Sequence, residues 1–421
     1  MYKFVIHGGK SLNGEIEISG AKNALLGLLP ATILANGEFI FENVPDLIDA
    51  KSMIRLLENM GEEIEFRGNR IIVRNHGLRS YDAPYEFVKK MRASVYVLGP
   101  TLSRYGYAKV SMPGGCAWGP RPINFHIEAI QKLGASVEID QGYIIAKANK
   151  LIGTKIVFNT PSVGATVNTL MASVLAKGTT LISNAAIEPE VTAIANFLNK
   201  MGAKISGIGT KFIEIEGVDE LHPASEIVIP DRIEAGTLLI AGAITSGEVK
   251  VTKCNPNHLN ALIDKLIDAG FEISTGPDSV QLKTINEKIK PVDLETEVYP
   301  GFPTDLQAQW ISLMSIANGV SEVTDNIYHD RFNHVPELNR LGANITVKGN
   351  TAIVRGVNEL NGAKVMSTDL RASASLVLAG LVAKNVTEVL RIYHIDRGYE
   401  RIEMKLKKLG ADIERVQTDE Y

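Results

Sequence analysis

A glycine recurs six times at the end of an amphipathic run, and this repeat constrains the fold more than any other feature of the chain. The stretches are LLENMGEEIEF, IQKLGASVEI, FLNKMGAKISG, LIDAGFEIS, LNRLGANITV and LKKLGADIERV, with glycines at Gly61, Gly134, Gly202, Gly270, Gly342 and Gly410, 68 to 73 residues apart. Apolar residues precede each glycine at helical spacing, as Met53, Leu56, Leu57 and Met60 do in the first copy. A glycine there supplies the left-handed residue that ends a helix without strain. A second series lies about 40 residues before each glycine. It reads AKNALLGLLPATILA, MRASVYVLGPTLS, GATVNTLMASVLA, RIEAGTLLIAGAI, TDLQAQWISLMSIA and TDLRASASLVLAG. These segments predict helices that are apolar all round and therefore buried. Each unit then holds one buried helix, one surface helix and short strands such as EFIFENV, KVSMPG, TTLISNA and EVKVTK. Six α/β units of about 70 residues exceed what one core usually holds. The chain is expected to form two domains of three units, with the boundary near IVIPDRIEAG at 227–236.

The 421 residues carry a net charge of −4, which excludes a global basic field for nucleic acid or an anionic membrane. An anionic ligand must then be held by locally gathered cations. The two cysteines, Cys116 and Cys254, form neither a disulfide framework nor a zinc spacing, which fits a reducing cytoplasm. MYKFVIHGGKS has no apolar signal-peptide core, and the longest apolar runs are too short to span a bilayer. No phosphate-binding P-loop or strand-linked dinucleotide fingerprint occurs, and GIGTK at 207–211 reads as a hairpin turn. The histidines are scattered, and His329 and His334 are off one helical face, so no metal site is expected.

Charged residues gather at the starts of the buried helices: Lys22 with Asn23, Arg92, Arg232, Asp305, and Asp369 with Arg371. Ser162, Val163 and Gly164 take the corresponding place in the third unit. A cation at a helix N-terminus opposes the dipole unless an anion answers it. Pairing with a neighbouring carboxylate explains any single case. The set, repeated unit after unit, favours convergence on an anionic, phosphate-rich ligand. Asp305 in FPTDLQAQ reads by default as a helix cap, and equally as a general base if a hydroxyl approaches. Cys116 stands in SMPGGCAWGPRPINFH, a glycine-rich loop with Arg121 just before a proline that can start a helix. Helix N-termini and cations both lower a thiol pKa. The chemistry of the residues thus suggests a nucleophile or acid acting on a phosphorylated substrate. A buried, inert cysteine is the better reading of Cys254.

These stretches together are similar to the UDP-N-acetylglucosamine enolpyruvyl transferases. The resemblance rests on SGAKNA (19–24), MRAS (91–94), PGGCAWGPRP (113–122), PSVGAT (161–166), PDRIEAGT (230–237), FPTDLQAQ (302–309), RFNHVPEL (331–338), TDLRASASLVLAG (368–380) and IYHIDRGYERIE (392–403). They run the length of the chain. The resemblance implies a two-domain inside-out α/β barrel, with residues 21–229 in one domain, 1–20 plus 230–421 in the other, and the active site in the cleft between them. It implies transfer of the enolpyruvyl group of phosphoenolpyruvate to the 3-hydroxyl of UDP-N-acetylglucosamine, with release of phosphate and no cofactor or metal. Cys116 resembles the loop cysteine that serves as general acid, forms a covalent adduct and is alkylated by fosfomycin. Asp305 resembles the base. Lys22, Asn23, Arg121, Arg331, Arg371 and Arg397 correspond to residues around phosphoenolpyruvate, with Lys22 and Arg397 also counted as catalytic. Arg92, Arg121, Pro122, Ile123, Asn124, Phe125, Ser162, Val163, Asp305 and Ile327 correspond to the UDP-sugar site.

The chain departs from the family pattern at Thr160, where some relatives carry lysine, at Asn124, usually acidic, and at Trp118, usually a small aliphatic residue. Those departures leave open a different nucleotide-type acceptor, or a silent paralogue that binds the nucleotide sugar. Trp118 is expected to alter loop closure rather than chemistry, so Trp118→Ile should leave the turnover number near wild type; a loss of several orders of magnitude would contradict this.

Overall fold

The computed structural model describes residues 1–89, 91–112, 123–286 and 288–420. They form two compact units, Gly20–Ile229 and Met1–Ser19 with Pro230–Tyr421. Each unit has its own hydrophobic core. The apolar helices are at its centre. In Arg232–Ile244 every residue after Arg232 is buried, and in Leu370–Val382 all but Val382 are. Lys22–Ala31, Leu98–Tyr105, Val163–Ser173 and Gln307–Met314 complete the series. Two of these helices start through 3-10 turns, Arg92–Val97 and Thr304–Leu306, so the regular part is shorter than the apolar run suggests. Close packing needs small residues: a Cβ on Gly99 would lie 2.4 Å from the Asn168 carbonyl and side-chain oxygens.

The surface helices end as the glycine series predicts. Ile48–Met60 stops at Gly61 with φ 118°, and Gly134, Gly202, Gly270, Gly342 and Gly410 have φ between 91° and 106° after the other five. The segment 207–211 joins antiparallel strands Lys204–Ser206 and Phe212–Glu216, as a hairpin turn should.

Among the described residues, six four-stranded sheets, three per unit, share one plan. A short edge strand runs parallel to the next strand, which pairs antiparallel with the return arm of a hairpin. In the second repeat these are Asp82–Ala83, Tyr107–Ser111, and the hairpin Ser136–Asp140 with Tyr143–Lys147. The first sheet of each unit takes its edge strand from a distant segment: Ser225–Ile227 beside Gly37–Glu42, and Asn13–Glu17 beside Glu248–Thr252. The last sheet carries the chain ends. Tyr2–His7 occupies the return-arm position between Val386–Leu390 and Asp412–Gln417. Met1 and Thr418 exchange 2.9 Å backbone hydrogen bonds where the other sheets have a hairpin tip.

Glu62, just after the Gly61 cap, is buried against Thr32 at 2.9 and 3.0 Å. Burial pushes its carboxyl up from 4.5 to about 8, against the opposing influences of the Thr32 hydroxyl and Arg104. The Thr32 hydroxyl also lies 2.6 Å from the Leu29 carbonyl. A protonated Glu62 can donate to Thr32 while Thr32 donates to Leu29; an ionised one must compete for that single proton. A raised carboxyl pKa gives stability that is complete below the unfolded value and fades as pH rises through the folded one. Glu62→Gln is therefore expected to raise Tm by about 5 °C at pH 8 and to change it little near pH 4. Differential scanning calorimetry at the two pH values checks this, and an equal shift at both would refute it.

Candidate functional site

In the unit containing residues 230–421, the starts of the three buried helices meet around Asp305. Asp305 is no helix cap. Its two carboxylate oxygens lie 2.8 Å from Arg331 Nη1 and 2.7 Å from Arg371 Nη2. The default expectation of a cap fails because two buried guanidinium groups compete for the same oxygens, and charge-assisted bonds are stronger than a bond to a neutral N–H. The cap role belongs to the neighbouring aspartates. Asp231 accepts from the Ile233 and Glu234 amides, and Asp369 from the Arg371 and Ala372 amides, at 2.8 and 3.0 Å in each case.

Burial is the strongest single influence against the charge on Arg371, but Asp305, Tyr399 and Asp231 together outweigh it and hold its pKa above the ordinary arginine value. Arg371 also lies over the Tyr399 ring at 5.4 Å. Arg331 and Arg371 thus share the Asp305 carboxylate, with Asp231 and Asp369 at the adjoining helix starts. Arg397, the last residue of the 3-10 helix Ile392–Arg397, is half-buried.

Several polar residues that the sequence reading did not single out hold this cluster. Asp325 is fully buried and accepts from Thr296 and Thr304 hydroxyls at 2.8 and 2.7 Å and from the Ile327 and Tyr328 amides at 3.0 and 2.8 Å. It thereby fixes the turn bearing Ile327 and ties it to Thr304, whose hydroxyl accepts from Arg331 at 3.0 Å. Gln309 Nε2 lies 3.0 Å from the Asp305 carbonyl and 3.1 Å from both Thr237 Oγ1 and Tyr399 Oη. The matched stretches contained Thr237, Gln309 and Tyr399, but apolar periodicity says nothing of which buried polar groups face one another.

In the unit Gly20–Ile229, Lys22 is the first residue of its helix, with its ammonium 3.5 Å from buried Asp49 in the first turn of Ile48–Met60. Asn23 follows it, half-buried. Arg92 opens the 3-10 helix Arg92–Val97. Ser162 is an N-cap, accepting from the Ala165 amide at 3.3 Å, and Val163 begins the helix. Ile123 precedes the helix Asn124–Lys132; Asn124 donates to Glu128 at 3.2 Å, and Phe125 packs edge-on against Phe158. Cys116, Arg121, Pro122 and Trp118 lie outside the described residues. Cys254 is buried and its thiol is pushed up by that burial, the inert state expected of it.

His126, which the sequence reading did not single out, lies beside the Ser162–Gly164 turn. Its Nδ1 faces Asn168 Nδ2 at 3.0 Å, and the same amide group donates to the Val95 carbonyl at 3.0 Å. Asn168 Oδ1 accepts from the Gly99 amide, which fixes the amide orientation; its one NH2 then donates to both Val95 and Nδ1, so Nδ1 is an acceptor and the network assigns the proton to Nε2. Burial pushes the ring down to about 4 and keeps it neutral. A Cβ on Gly164 would lie 3.0 Å from that Nε2, so a glycine there lets the Ser162–Gly164 turn approach the ring. Its position directly after PRPINF was the available signal.

Among the described residues no cluster could hold a metal ion, and no helix is long and apolar enough to cross a membrane. A family model described as EPSP synthase (3-phosphoshikimate 1-carboxyvinyltransferase) matches residues 6–406. Relatives from Chloroherpeton thalassium and Chlorobaculum parvum, both named UDP-N-acetylglucosamine 1-carboxyvinyltransferase, are 56% and 55% identical over all of this chain and over 99% and 100% of theirs. Among solved structures, the enolpyruvyl transferase NikO from Streptomyces tendae aligns with a TM-score of 0.89 at 26% identity, over 98% of each chain. EPSP synthase from Acinetobacter baumannii aligns at 0.75 and 18% identity, over 99% of this chain and 100% of that one, a likeness of fold alone. With the same inside-out arrangement of central helices and outer sheets, and with sequence identity sustained from end to end, the chain belongs to the EPSP synthase family of carboxyvinyl (enolpyruvyl) transferases.

Proposed function

We propose that the chain transfers the enolpyruvyl group of phosphoenolpyruvate to the 3-hydroxyl of UDP-N-acetylglucosamine, releasing phosphate, as a cytoplasmic step of peptidoglycan synthesis. The observation that carries this reading is the full-length identity of 56% to a UDP-N-acetylglucosamine 1-carboxyvinyltransferase. The geometry supports it through Asp305, a carboxylate poised between two buried arginines.

In this reading the Cys116 thiol delivers a proton to the methylene carbon of phosphoenolpyruvate. The sugar 3-hydroxyl oxygen bonds to the adjacent carbon and passes its proton to Asp305. The tetrahedral ketal then loses phosphate from that carbon and a proton from the new methyl group, taken back by the Cys116 thiolate, which restores the double bond and the thiol. Such chemistry needs one acid, one base and fixed cations around a moving phosphate. Lys22, Asn23, Arg121, Arg331, Arg371 and Arg397 are assigned to phosphoenolpyruvate. Arg92, residues 121–125, Ser162, Val163, Asp305 and Ile327 are assigned to the nucleotide sugar. Asp305 is unsuited to accept a proton while both oxygens hold guanidinium groups. An anionic substrate that draws one arginine away frees an oxygen for the hydroxyl, which couples substrate binding to base activation.

The test is phosphate release from phosphoenolpyruvate with and without UDP-N-acetylglucosamine, and after fosfomycin treatment. Release should require the nucleotide sugar and stop with fosfomycin; release without the sugar, or none with it, refutes the reading. Asp305→Asn is expected to lower kcat by about 10²–10⁴-fold. Cys116→Asp should keep turnover and Cys116→Ser should lose it, since serine is too weak an acid; a fully active serine variant counts against the acid role.

A further inference from the structure

The segment that carries Arg397 is held in an unusual way. It begins and ends with arginines in the left-handed region, Arg391 at φ 58° and Arg401 at φ 42°. A residue other than glycine keeps that region only where surrounding contacts over-determine the backbone. Between and just beyond these two residues the backbone is gripped by Arg415, in the strand Asp412–Gln417 next to the C-terminus. Its Nη1 and Nη2 donate to the two Asp396 carboxylate oxygens at 2.9 and 2.7 Å. Its Nε and Nη2 donate to the two Glu403 oxygens at 2.8 and 3.1 Å. The guanidinium lies 5.1 Å from the ring of Phe4, its register partner in the N-terminal strand. One side chain thus grips the residue immediately before Arg397 and a second residue in the following helix, Ile402–Lys408.

We propose that Arg415 is a positioning residue for Arg397, and that the strand pair formed by the two ends of the chain serves as the anvil against which the phosphoenolpyruvate-binding arginine is set. The proposal rests on the role assigned to Arg397 above. In a 3-10 helix consecutive side chains project about 120° apart, so tethering Asp396 on the sheet side sets the direction in which Arg397 leaves the backbone. The far side of the segment is fixed as well. A Cβ on Gly398 would lie 2.6 Å from Leu370, and Tyr399 lies beneath Arg371. A planar fork can bridge two carboxylates with four bonds, which an ammonium cannot do. Arg415→Lys should therefore behave more like Arg415→Gln than like the native enzyme.

The experiment is steady-state kinetics on the full chain for Arg415→Gln, Arg415→Lys, Arg397→Ala and the Arg415→Gln/Arg397→Ala double variant, with Tm measured for each. Arg415→Gln is expected to raise KM for phosphoenolpyruvate by about ten- to a hundredfold, with KM for UDP-N-acetylglucosamine little changed. In the double variant the Arg415 change should add almost nothing to Arg397→Ala, because it acts through that residue. A lowered Tm with KM for phosphoenolpyruvate unchanged, or fully additive effects, overturns the proposal and leaves Arg415 a structural residue only. If Arg397→Ala itself leaves phosphoenolpyruvate kinetics intact, the assigned role of Arg397 fails and the proposal with it. Should Arg415→Gln not fold, Asp396→Asn weakens the same grip while Glu403 retains its bonds, and the same split in KM is expected.

Discussion

Helices that are apolar on every side must be covered on every side, and that requirement organises each unit. Three such helices pack together and a shell of four-stranded sheets encloses them. Once the helices are central, charged side chains join them at their first turns, while the polar groups of the helix bodies, such as Thr237 and Asn168, pair within the core. In the unit that includes residues 230–421 those turns come together, as the bonds from Gln309 to Thr237, Tyr399 and the Asp305 backbone record. The same burial that excludes charge from the helix bodies concentrates it at their starts.

The energetics of those starts favour pairing over capping. A cation near a helix N-terminus loses about 0.3–1 kcal/mol to the dipole. A hydrogen bond to a charged group contributes about 1.5–3 kcal/mol. Arg371 makes one to Asp305 at 2.7 Å and has Tyr399 beneath it, so its place in the first turn is favourable on balance. The expectation that single arginines find carboxylate partners and the expectation that the set serves an anion are therefore compatible. Asp305 holds Arg331 and Arg371 together, while the buried Nε of Arg371 has no hydrogen-bond partner among the described residues. In the proposed reading, a substrate anion competes with Asp305 for arginines that are already desolvated, rather than for exposed, hydrated side chains.

The positions of several candidate site residues were legible because motif residues sit in fixed relation to the repeat. Lys22, Arg92, Ser162, Asp305 and Arg371 all fall in the first turns where the second helical series begins, and the structure puts them there. Their partners were not legible. Asp325 fixes Ile327 from a strand end, His126 meets Gly164 across two repeats, and Arg415 reaches back to Asp396 and Glu403 from the last strand. Each of these depends on which strand or helix becomes a spatial neighbour, and apolar periodicity carries no such information.

By itself the sequence determined the periodic α/β architecture, the buried and exposed helix in each repeat, and the glycines that end the surface helices. These are local properties: a helix that is apolar all round is buried in any globular setting, and a left-handed cap favours glycine wherever it occurs. Only the tertiary structure decided that Asp305 bridges two arginines instead of capping a helix, and that Tyr2–His7 completes the last sheet where the two chain ends meet. Those outcomes compare partners distant in the chain. A carboxylate chooses between a backbone amide and a guanidinium only after folding has brought both within reach.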